Sequence, residues 1–320
     1  MAKVKAKKHY YFPQADTQYL NDLGRQLVKI YENTNLGSFK TRQRYFKATT
    51  QFVRAVFDTY GIKSLNNIQD KHLKWYAEKR MEEGISPSTI KTELSAIRFT
   101  HHINPNSKYD LSDGTEFNKS LNIPSTPDGR VDRAWTPAEI DRGIKLANTL
   151  QRPEIADIIE FMSVTGCRLD EAATIRKHHL EDALRTGYLH LTNTKGGRPR
   201  AVPLDDKAME VIQHMNSKAT RGSYVFVPRD QKVHQLKKSV QDFIGRHRDK
   251  IQEAGRGSSA HEVIDGRAGI SAHGVRHTYA RHEYDKLTLK RTPREAERET
   301  SHRLGHGRPE VTRIYLAKRS

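Results

Sequence analysis

The sequence predicts a mostly α-helical protein with a small antiparallel β-sheet, divided into two domains. Apolar residues recur at the spacing of helical faces along most of the chain. Alternation of apolar and polar residues, which is typical of strands, is confined to short segments beyond residue 187. Between residues 104 and 133 the helical spacing fails and prolines and glycines accumulate, which indicates a linker between the domains.

The first domain is predicted to be helical. Leu20, Leu23 and Leu27 share one face of its first helix, and Ser86-Pro87 supplies the N-cap and first-turn proline of its last. The helices are expected to begin near residue 16, to cover about 41–59 and 69–83, and to begin at residue 86. With a boundary near Gly129, the predicted segments are a basic segment and helix at 1–37, a helical domain ending in the linker at 38–128, and a second domain at 129–320.

The second domain opens with a helix start, because Thr136 and Glu139 form a capping-box pattern around a first-turn proline. Its helices are expected at about 137–149, 153–164, from 168, and at 232–252, 273–285, 293–304 and 309–316. Strands are expected at 188–192 and 201–204, on either side of a glycine-rich turn, with a short third strand at 224–227.

Composition limits the class of protein. The 320 residues carry a formal net charge of +18, which favours a polyanionic partner such as nucleic acid over a merely basic soluble protein. The single cysteine, Cys167, provides neither an internal disulfide nor a cysteine-based zinc site. No apolar run approaches about 20 residues, so we expect no membrane span and no membrane partner, and a cytoplasmic, nucleoid-associated location when DNA is bound.

Residues 271–320 are rich in arginine and histidine and contain no obvious carboxylate cluster. Cleavage of a phosphodiester without a metal needs a nucleophile, cations that hold the phosphate oxygens, and a proton donor for the leaving oxygen. Arginine suits the second task because its planar fork grips two oxygens and stays charged. This composition disfavours a metal-dependent mechanism, and no cofactor is expected.

Five features carry a family resemblance. They are TGCRLDE at residues 165–171, Lys195 in the predicted hairpin turn, HGVRHT at 273–278, LGH at 304–306, and Tyr315 nine residues later. In this order they resemble the motifs of tyrosine recombinases of the phage-integrase type, and the preceding helices are similar to the core-binding domain of that family. The resemblance implies a two-domain clamp around double-stranded DNA, formed by a core-binding domain and a catalytic domain. It also implies site-specific recombination that integrates, excises or inverts a mobile element.

The resemblance implies a role for each matching residue. Tyr315 would attack the phosphate and form a 3′-phosphotyrosyl link, His273 would assist proton transfer from Tyr315, and Lys195 would protonate the leaving 5′ oxygen. The phosphate would be held by Arg168, Arg276 and His306, and Glu171 would support Arg168. The expected assembly is a homotetramer on two duplexes, with an accessory DNA-bending or directionality protein as a further partner.

Further basic residues are candidates for contact with DNA. They are Lys40, Arg42, Arg44, Lys91, Arg98, Arg198 and Arg200. A solvated surface explains such charges equally well at this stage. The helix that begins at Ser86 is the candidate for insertion into the major groove.

Other interpretations remain open from the sequence. A type IB topoisomerase would share the same chemistry without strand exchange, and a catalytically silent DNA-binding regulator would share the fold. A zinc-binding or RNA-binding basic protein is a third class, since His273 with His277 and His302 with His306 have the four-residue spacing of helical zinc ligands. Two departures from the family pattern are the 30-residue step from Arg276 to His306 and the five residues after the tyrosine.

Overall fold

The computed structural model describes residues 10–124, 131–192, 194, 199–306 and 310–316. The chain divides into two compact units, Met1–Thr126 and Pro127–Ser320. The predicted boundary near Gly129 falls outside the described residues. In the described part of the chain, no helix is both long and apolar enough to cross a membrane.

The first unit is built from helices. They are α1 (Gln18–Glu32), α2 (Phe39–Tyr60), α3 (Asp70–Glu82), α4 (Pro87–His102) and α5 (Gly114–Ser120), with a 3₁₀ turn at Leu65–Asn67. The predicted Ser86 cap is present, because its side chain accepts from a first-turn amide of α4, and the Thr17 side chain caps α1 in the same way. Leu23, Phe52 and Leu94 are fully buried in the core that these helices share.

The segment after residue 104 differs from the prediction of a linker, since it is folded as far as residue 124. The Asp113 side chain caps α5, and Phe117, Leu121 and Ile123 are buried in the core of the first unit. Three apolar residues within seven positions are too few to show a helical period, so the composition of this segment predicts only a loop.

The second unit contains α6 to α15 and two short hairpins. The helices are α6 (Pro137–Thr149), α7 (Pro153–Thr165), α8 (Leu169–Ala172), α9 (Lys177–Thr186), α10 (Asp206–Lys218), α11 (Val233–Arg246), α12 (Arg248–Ile251), α13 (Ala272–Thr288), α14 (Pro293–Leu304) and α15 (Glu310–Leu316). Strands β1 (Tyr188–Leu191) and β2 (Arg200–Pro203) pair antiparallel, with Leu191 opposite Arg200, and β3 (Val263–Ile264) pairs with β4 (Arg267–Ala268). The fold is therefore mostly α with small antiparallel sheets, as predicted.

Several details of the second unit differ from the prediction. The third strand at 224–227 does not form, because only a single bridge joins Tyr224 to Arg176. Phe226 is instead buried against Phe161. The pattern of residues at 224–227 that resembles a strand therefore arises from the burial of side chains in a segment that pairs with no described strand. The helix expected at 232–252 is divided into α11 and α12, and the helix expected from 168 ends at Ala172 and is followed by the separate helix α9. Helix α10 and the hairpin of β3 and β4 are additional elements that the sequence does not predict.

Helix α7 lies at the centre of the second unit and is apolar on nearly every side. Ile155, Ile158 and Phe161 are fully buried, and α7 packs against α6, α10 and α13. Its C-terminal end therefore lies beside the first turns of α13. This packing brings the TGCRLDE segment next to the HGVRHT segment.

Candidate active site

The turn after α7 is shaped by Gly166. This residue caps α7 in the left-handed conformation, at φ +62°, and donates its backbone N–H to the Met162 carbonyl. A Cβ atom here would lie 2.2 Å from the Tyr279 ring, so the turn requires glycine for both its backbone and its packing. The next residue, Cys167, is fully buried, and burial raises the pKa of its thiol to about 11, which makes it an inert core residue.

Arg168 and Glu171 form the pair that the sequence predicts. Arg168 is the N-cap of α8, and its backbone N–H and Nη1 each donate to the Glu171 carboxylate at 2.8 Å. The Arg168 side chain is 21% exposed whereas that of Glu171 is 2% exposed, so the pair is anchored on its buried side and open on the other.

Arg200 lies elsewhere than expected of a DNA-contacting residue. It is buried, and its Nη1 and Nη2 donate to the two Glu171 oxygens at 2.8 and 2.7 Å. Although burial would raise it, these bonds lower the pKa of Glu171 to about 2. Both terminal nitrogens of its fork are therefore engaged by Glu171, which gives Arg200 a structural role, and its contact with DNA is left as a prediction from the sequence.

Arg276 is fully buried on α13. Its Nη1 donates to the Gly166 carbonyl, its Nη2 donates to the Leu304 carbonyl, and its Nη1 lies 3.9 Å from Glu171. These contacts join the HGVRHT segment to the TGCRLDE and LGH segments. Burial, with the charges of Arg168 and Arg200, lowers the pKa of Arg276 to about 10, so it remains charged at neutral pH. Its Nε is buried and has no hydrogen-bond partner among the described residues.

His306 follows Gly305, the left-handed cap of α14. Its Nδ1 lies 3.0 Å from the Thr312 hydroxyl, and its Nε2 lies 3.5 Å from Arg276 Nη2. Burial and the charges of Arg276 and Arg168 lower the pKa of His306 to about 3. The ring is therefore neutral at physiological pH and can act as a hydrogen-bonding group rather than a cation.

Tyr315 lies on α15 and is 7% exposed. Its Oη is 3.0 Å from His273 Nε2, and Arg281 Nε donates to its carbonyl at 3.3 Å. The Tyr315 ring also contacts His306, with ring centroids 4.8 Å apart. The structure thus brings together Arg168, Glu171, His273, Arg276, His306 and Tyr315.

His277 is a member of this cluster whose contact with the tyrosine the sequence analysis missed. Its ring stacks on that of Tyr315 with centroids 4.2 Å apart and planes at 24°. Burial, with the charges of neighbouring groups such as His273 and Arg281, lowers the pKa of His277 well below its ordinary value. The available signal was its spacing, because a residue four positions after His273 shares its helix face.

The remaining predicted basic residues have different surroundings. Lys195 and Arg198 lie outside the described residues, so their placement stays a prediction. Lys40 and Arg44 are exposed on α2, and Arg44 lines a groove between α2 and α4. Lys91 Nζ donates to the Pro124 carbonyl at 3.0 Å.

Arg42 and Arg98 are both engaged within the first unit. Arg42 donates to the Gly37 carbonyl and to the Tyr10 hydroxyl. Arg98 lies over the Phe117 ring and donates to the Ser112 carbonyl, and burial lowers its pKa. These contacts hold α5 and the segment at Tyr10 against the core. Arginines that were predicted from the sequence to touch DNA thus have a structural task.

One group among the described residues has donor atoms close enough together for a metal ion. It consists of Asp205, His282 and Glu283, with donor atoms within 4.8 Å of one another. Both carboxylates already pair with cations, since Asp205 accepts from Lys286 and Glu283 accepts from Arg303. The four histidines with zinc-like spacing belong to no such group in the described part of the chain.

Models of known protein families match residues in both units of the chain. The model of the phage integrase family matches residues 135–320, and that of the phage integrase N-terminal domain matches residues 20–106. The integrase of Escherichia phage 186 is 24% identical over 225 residues, covering 70% of this chain and 56% of that protein. The chain spans about half the length of the curated relatives it matches.

Solved structures of lambda integrase are among those that share the fold. A lambda integrase dimer bound to a COC′ core site has a TM-score of 0.64 at 16% identity, covering 93% of this chain and 96% of that chain. A lambda integrase tetramer bound to a Holliday junction has a TM-score of 0.57 at 16% identity, covering 93% and 78%. At this identity the likeness concerns the fold alone.

Proposed function

Because the chain belongs to the phage integrase family, we propose that it is a site-specific DNA recombinase in which Tyr315 cleaves and rejoins DNA strands. The observation that carries this proposal is the 3.0 Å contact between Tyr315 Oη and His273 Nε2, beside the ring of His306 at 4.8 Å and the Arg276 guanidinium at 5.9 Å from the tyrosine ring centroid. A buried tyrosine hydroxyl generally has some hydrogen-bond partner, and this contact supports the proposal because the partner is a histidine ring nitrogen, which can accept the proton of the tyrosine.

The scissile phosphate would be held by Arg168, Arg276 and His306. Arg168 presents the exposed side of its guanidinium, because only Nη1 and the backbone N–H are taken by Glu171. Arg276 retains its Nε donor, which has no partner among the described residues. Charge that develops on the phosphate oxygens in the transition state would be stabilised by these prearranged donors.

The proton transfers balance without a metal or ATP. Tyr315 Oη forms a bond to phosphorus, its proton passes to His273, and the bond from phosphorus to the 5′ oxygen breaks. Lys195 would protonate that oxygen as it leaves. The 3′-phosphotyrosyl link conserves the energy of the phosphodiester, so a 5′-hydroxyl of a second duplex can reverse the step and complete the recombination.

The assembly is proposed from the same resemblance. The lambda integrase tetramer on a Holliday junction supports a homotetramer on two duplexes for this chain. We propose that the core-binding domain (38–128) and the catalytic domain (129–320) clamp the DNA from two sides. Lys40 and Arg44, which are exposed on α2, are the best-supported phosphate contacts of the first domain. An accessory DNA-bending or directionality protein remains part of this proposal.

The decisive experiment traps the covalent intermediate. A tight-binding site would first be selected from a library of duplexes drawn from DNA that flanks the gene. A nick would then be placed so that the cleaved end diffuses away, and the denatured products would be examined for a protein–DNA adduct. We expect an adduct with the parent protein and none with Tyr315→Phe, because the variant keeps the ring and lacks the nucleophilic oxygen.

Tyr279→Phe is the matched control, because Tyr279 is a buried neighbour whose hydroxyl has no partner among the described residues. Its adduct should equal that of the parent. An adduct that survives in Tyr315→Phe, or its absence from the parent on a tightly bound duplex, would contradict the proposal. Strand exchange between two site-bearing duplexes then separates a recombinase from a topoisomerase that only nicks and closes.

A further inference from the structure

Arg200 connects three parts of the candidate site. It is the first residue of β2, its fork grips Glu171 of α8, and its side-chain stem packs against the turn at Gly305. A Cβ atom at Gly305 would lie 2.8 Å from Arg200 Cδ. Arg200 is thus a buried cation that lies among the phosphate-binding groups and is itself bonded to a carboxylate.

We propose that Arg200 is a positioning residue that, by saturating the Glu171 carboxylate, keeps the Arg168 guanidinium available to the scissile phosphate. The inference rests on the proposed strand cleavage and adds to it a residue that does not touch the DNA.

The hydrogen-bonding capacity of the Glu171 carboxylate is limited. A carboxylate accepts about four hydrogen bonds, two at each oxygen. Oε1 accepts from Arg168 Nη1 and Arg200 Nη1, and Oε2 accepts from the Arg168 backbone N–H and Arg200 Nη2. All four positions are filled. Arg168 is therefore limited to one side-chain bond with Glu171, and its other side-chain N–H groups are directed elsewhere.

Removal of Arg200 would open two acceptor positions on a carboxylate that is 2% exposed. A buried, half-satisfied charge draws in the nearest cations, because water cannot replace the lost partner. The nearest described cations are Arg168, already bonded, and Arg276, at 3.9 Å. Each would be drawn toward Glu171, and each is a group proposed to hold the phosphate.

The charges support the same conclusion. Glu171 bonds to both Arg168 and Arg200 and lies 3.9 Å from Arg276, so the three arginines and this one carboxylate leave a net of two positive charges. Without Arg200, Glu171 would cancel one of them. The loss would be felt when the phosphate gains charge in the transition state, and much less in the initial binding of a long duplex.

The test uses the nicked duplex that traps the parent adduct, and compares Arg200→Gln with the parent. We expect the single-turnover rate of adduct formation to fall by about 10- to 100-fold, since misplacement by about an ångström has effects of this size. The equilibrium affinity and its salt dependence should match the parent. Arg200→Lys should lie between the two, because lysine supplies a charge but no bidentate fork.

A second substrate separates positioning from a general loss of structure. In a duplex with a methylphosphonate at the scissile position, the phosphate oxygen that needs the arginines is replaced by a neutral methyl group. The difference between parent and Arg200→Gln should shrink to within about 3-fold on this duplex. A purely structural defect would slow both substrates by the same factor.

A double variant keeps the test valid if Arg200→Gln folds poorly. Glu171→Gln combined with Arg200→Gln removes both buried charges and leaves two amides that can bond to each other. Its rate should equal that of Glu171→Gln alone, since Arg200 acts through Glu171.

Three results would overturn the inference while leaving the proposed function intact. They are an unchanged cleavage rate in Arg200→Gln, equal slowing on both substrates, and a salt slope lower by about one, which would mean direct phosphate contact. An absent adduct in the parent would instead refute the proposed function, and this inference with it.

Discussion

The ring of Tyr315 is held by three imidazoles. His277 stacks on it, His306 lies at 4.8 Å, and His273 bonds its hydroxyl. Two of these rings, His277 and His306, have a pKa that burial lowers below the ordinary value. His277 and His306 are therefore neutral near pH 7, and the positive charge beside the Tyr315 ring is carried by Arg276, whose guanidinium lies 5.9 Å from the ring centroid.

The buried, neutral state of His277 gives the protein a specific sensitivity to acid. Its pKa is lowered in the folded protein, so below the unfolded value of about 6.5 the unfolded chain binds the extra proton. The contribution of neutral His277 to the free energy of unfolding is therefore fully present above that pH and is lost as the pH falls. Between pH 7.5 and 5.0, we expect the free energy of unfolding in urea to fall by about 2 kcal/mol more in the parent than in His277→Phe.

The phenylalanine in this variant retains a ring that can stack on Tyr315 and removes the titrating nitrogens. His302→Gln is the control, because His302 is exposed on α14, and it should show the acid sensitivity of the parent. Equal acid sensitivity in the parent and in His277→Phe would show that His277 is accessible to protons in the folded state.

At the scale of elements, the turn between α7 and α8 sets the position of Arg168. Gly166→Ala should destabilise the fold by several kcal/mol, because its Cβ would enter the Tyr279 ring in addition to the backbone strain. Gly187→Ala isolates the backbone term, since Gly187 has φ +74° and a Cβ there would meet nothing within 4 Å. We expect that control to cost about 1–2 kcal/mol by urea unfolding.

Comparable losses in the two alanine variants would mean that the Tyr279 ring moves aside easily. In that case Gly166 would be required for its backbone conformation alone, and the position of Arg168 would not depend on close packing between α7 and α13.

The same elements show how far the sequence determines the site. Helix α6 was predicted to begin and end where it does, because Thr136 and Pro137 mark its start in the local sequence. The residues of the motifs were predicted through resemblance. The contact of Arg200 with Glu171 was not, because it joins side chains that lie 29 positions apart in the sequence, on β2 and on α8. The local sequence predicts that a basic residue such as Arg200 is exposed. Its partner can be identified only from the tertiary fold.

At the scale of the whole molecule, the excess of 18 positive charges predicts DNA binding that weakens with salt. The slope of log K against log salt counts the phosphates that are neutralised, at about 0.9 for each. Arg44, exposed beside the groove between α2 and α4, should account for one of them. We therefore expect Arg44→Gln to reduce the slope by about one and to weaken all duplexes alike.

Two matched variants separate contact with DNA from net charge. Arg25→Gln removes the same charge from an exposed arginine of α1 that pairs with Asp22, and it should leave the slope unchanged. Arg98→Gln should lower the free energy of unfolding and also leave the slope unchanged, because that arginine is engaged by Phe117 and Ser112. If all three variants have the same slope as the parent, the first unit binds DNA through other residues. Equal reductions would mean that the DNA senses only the total charge.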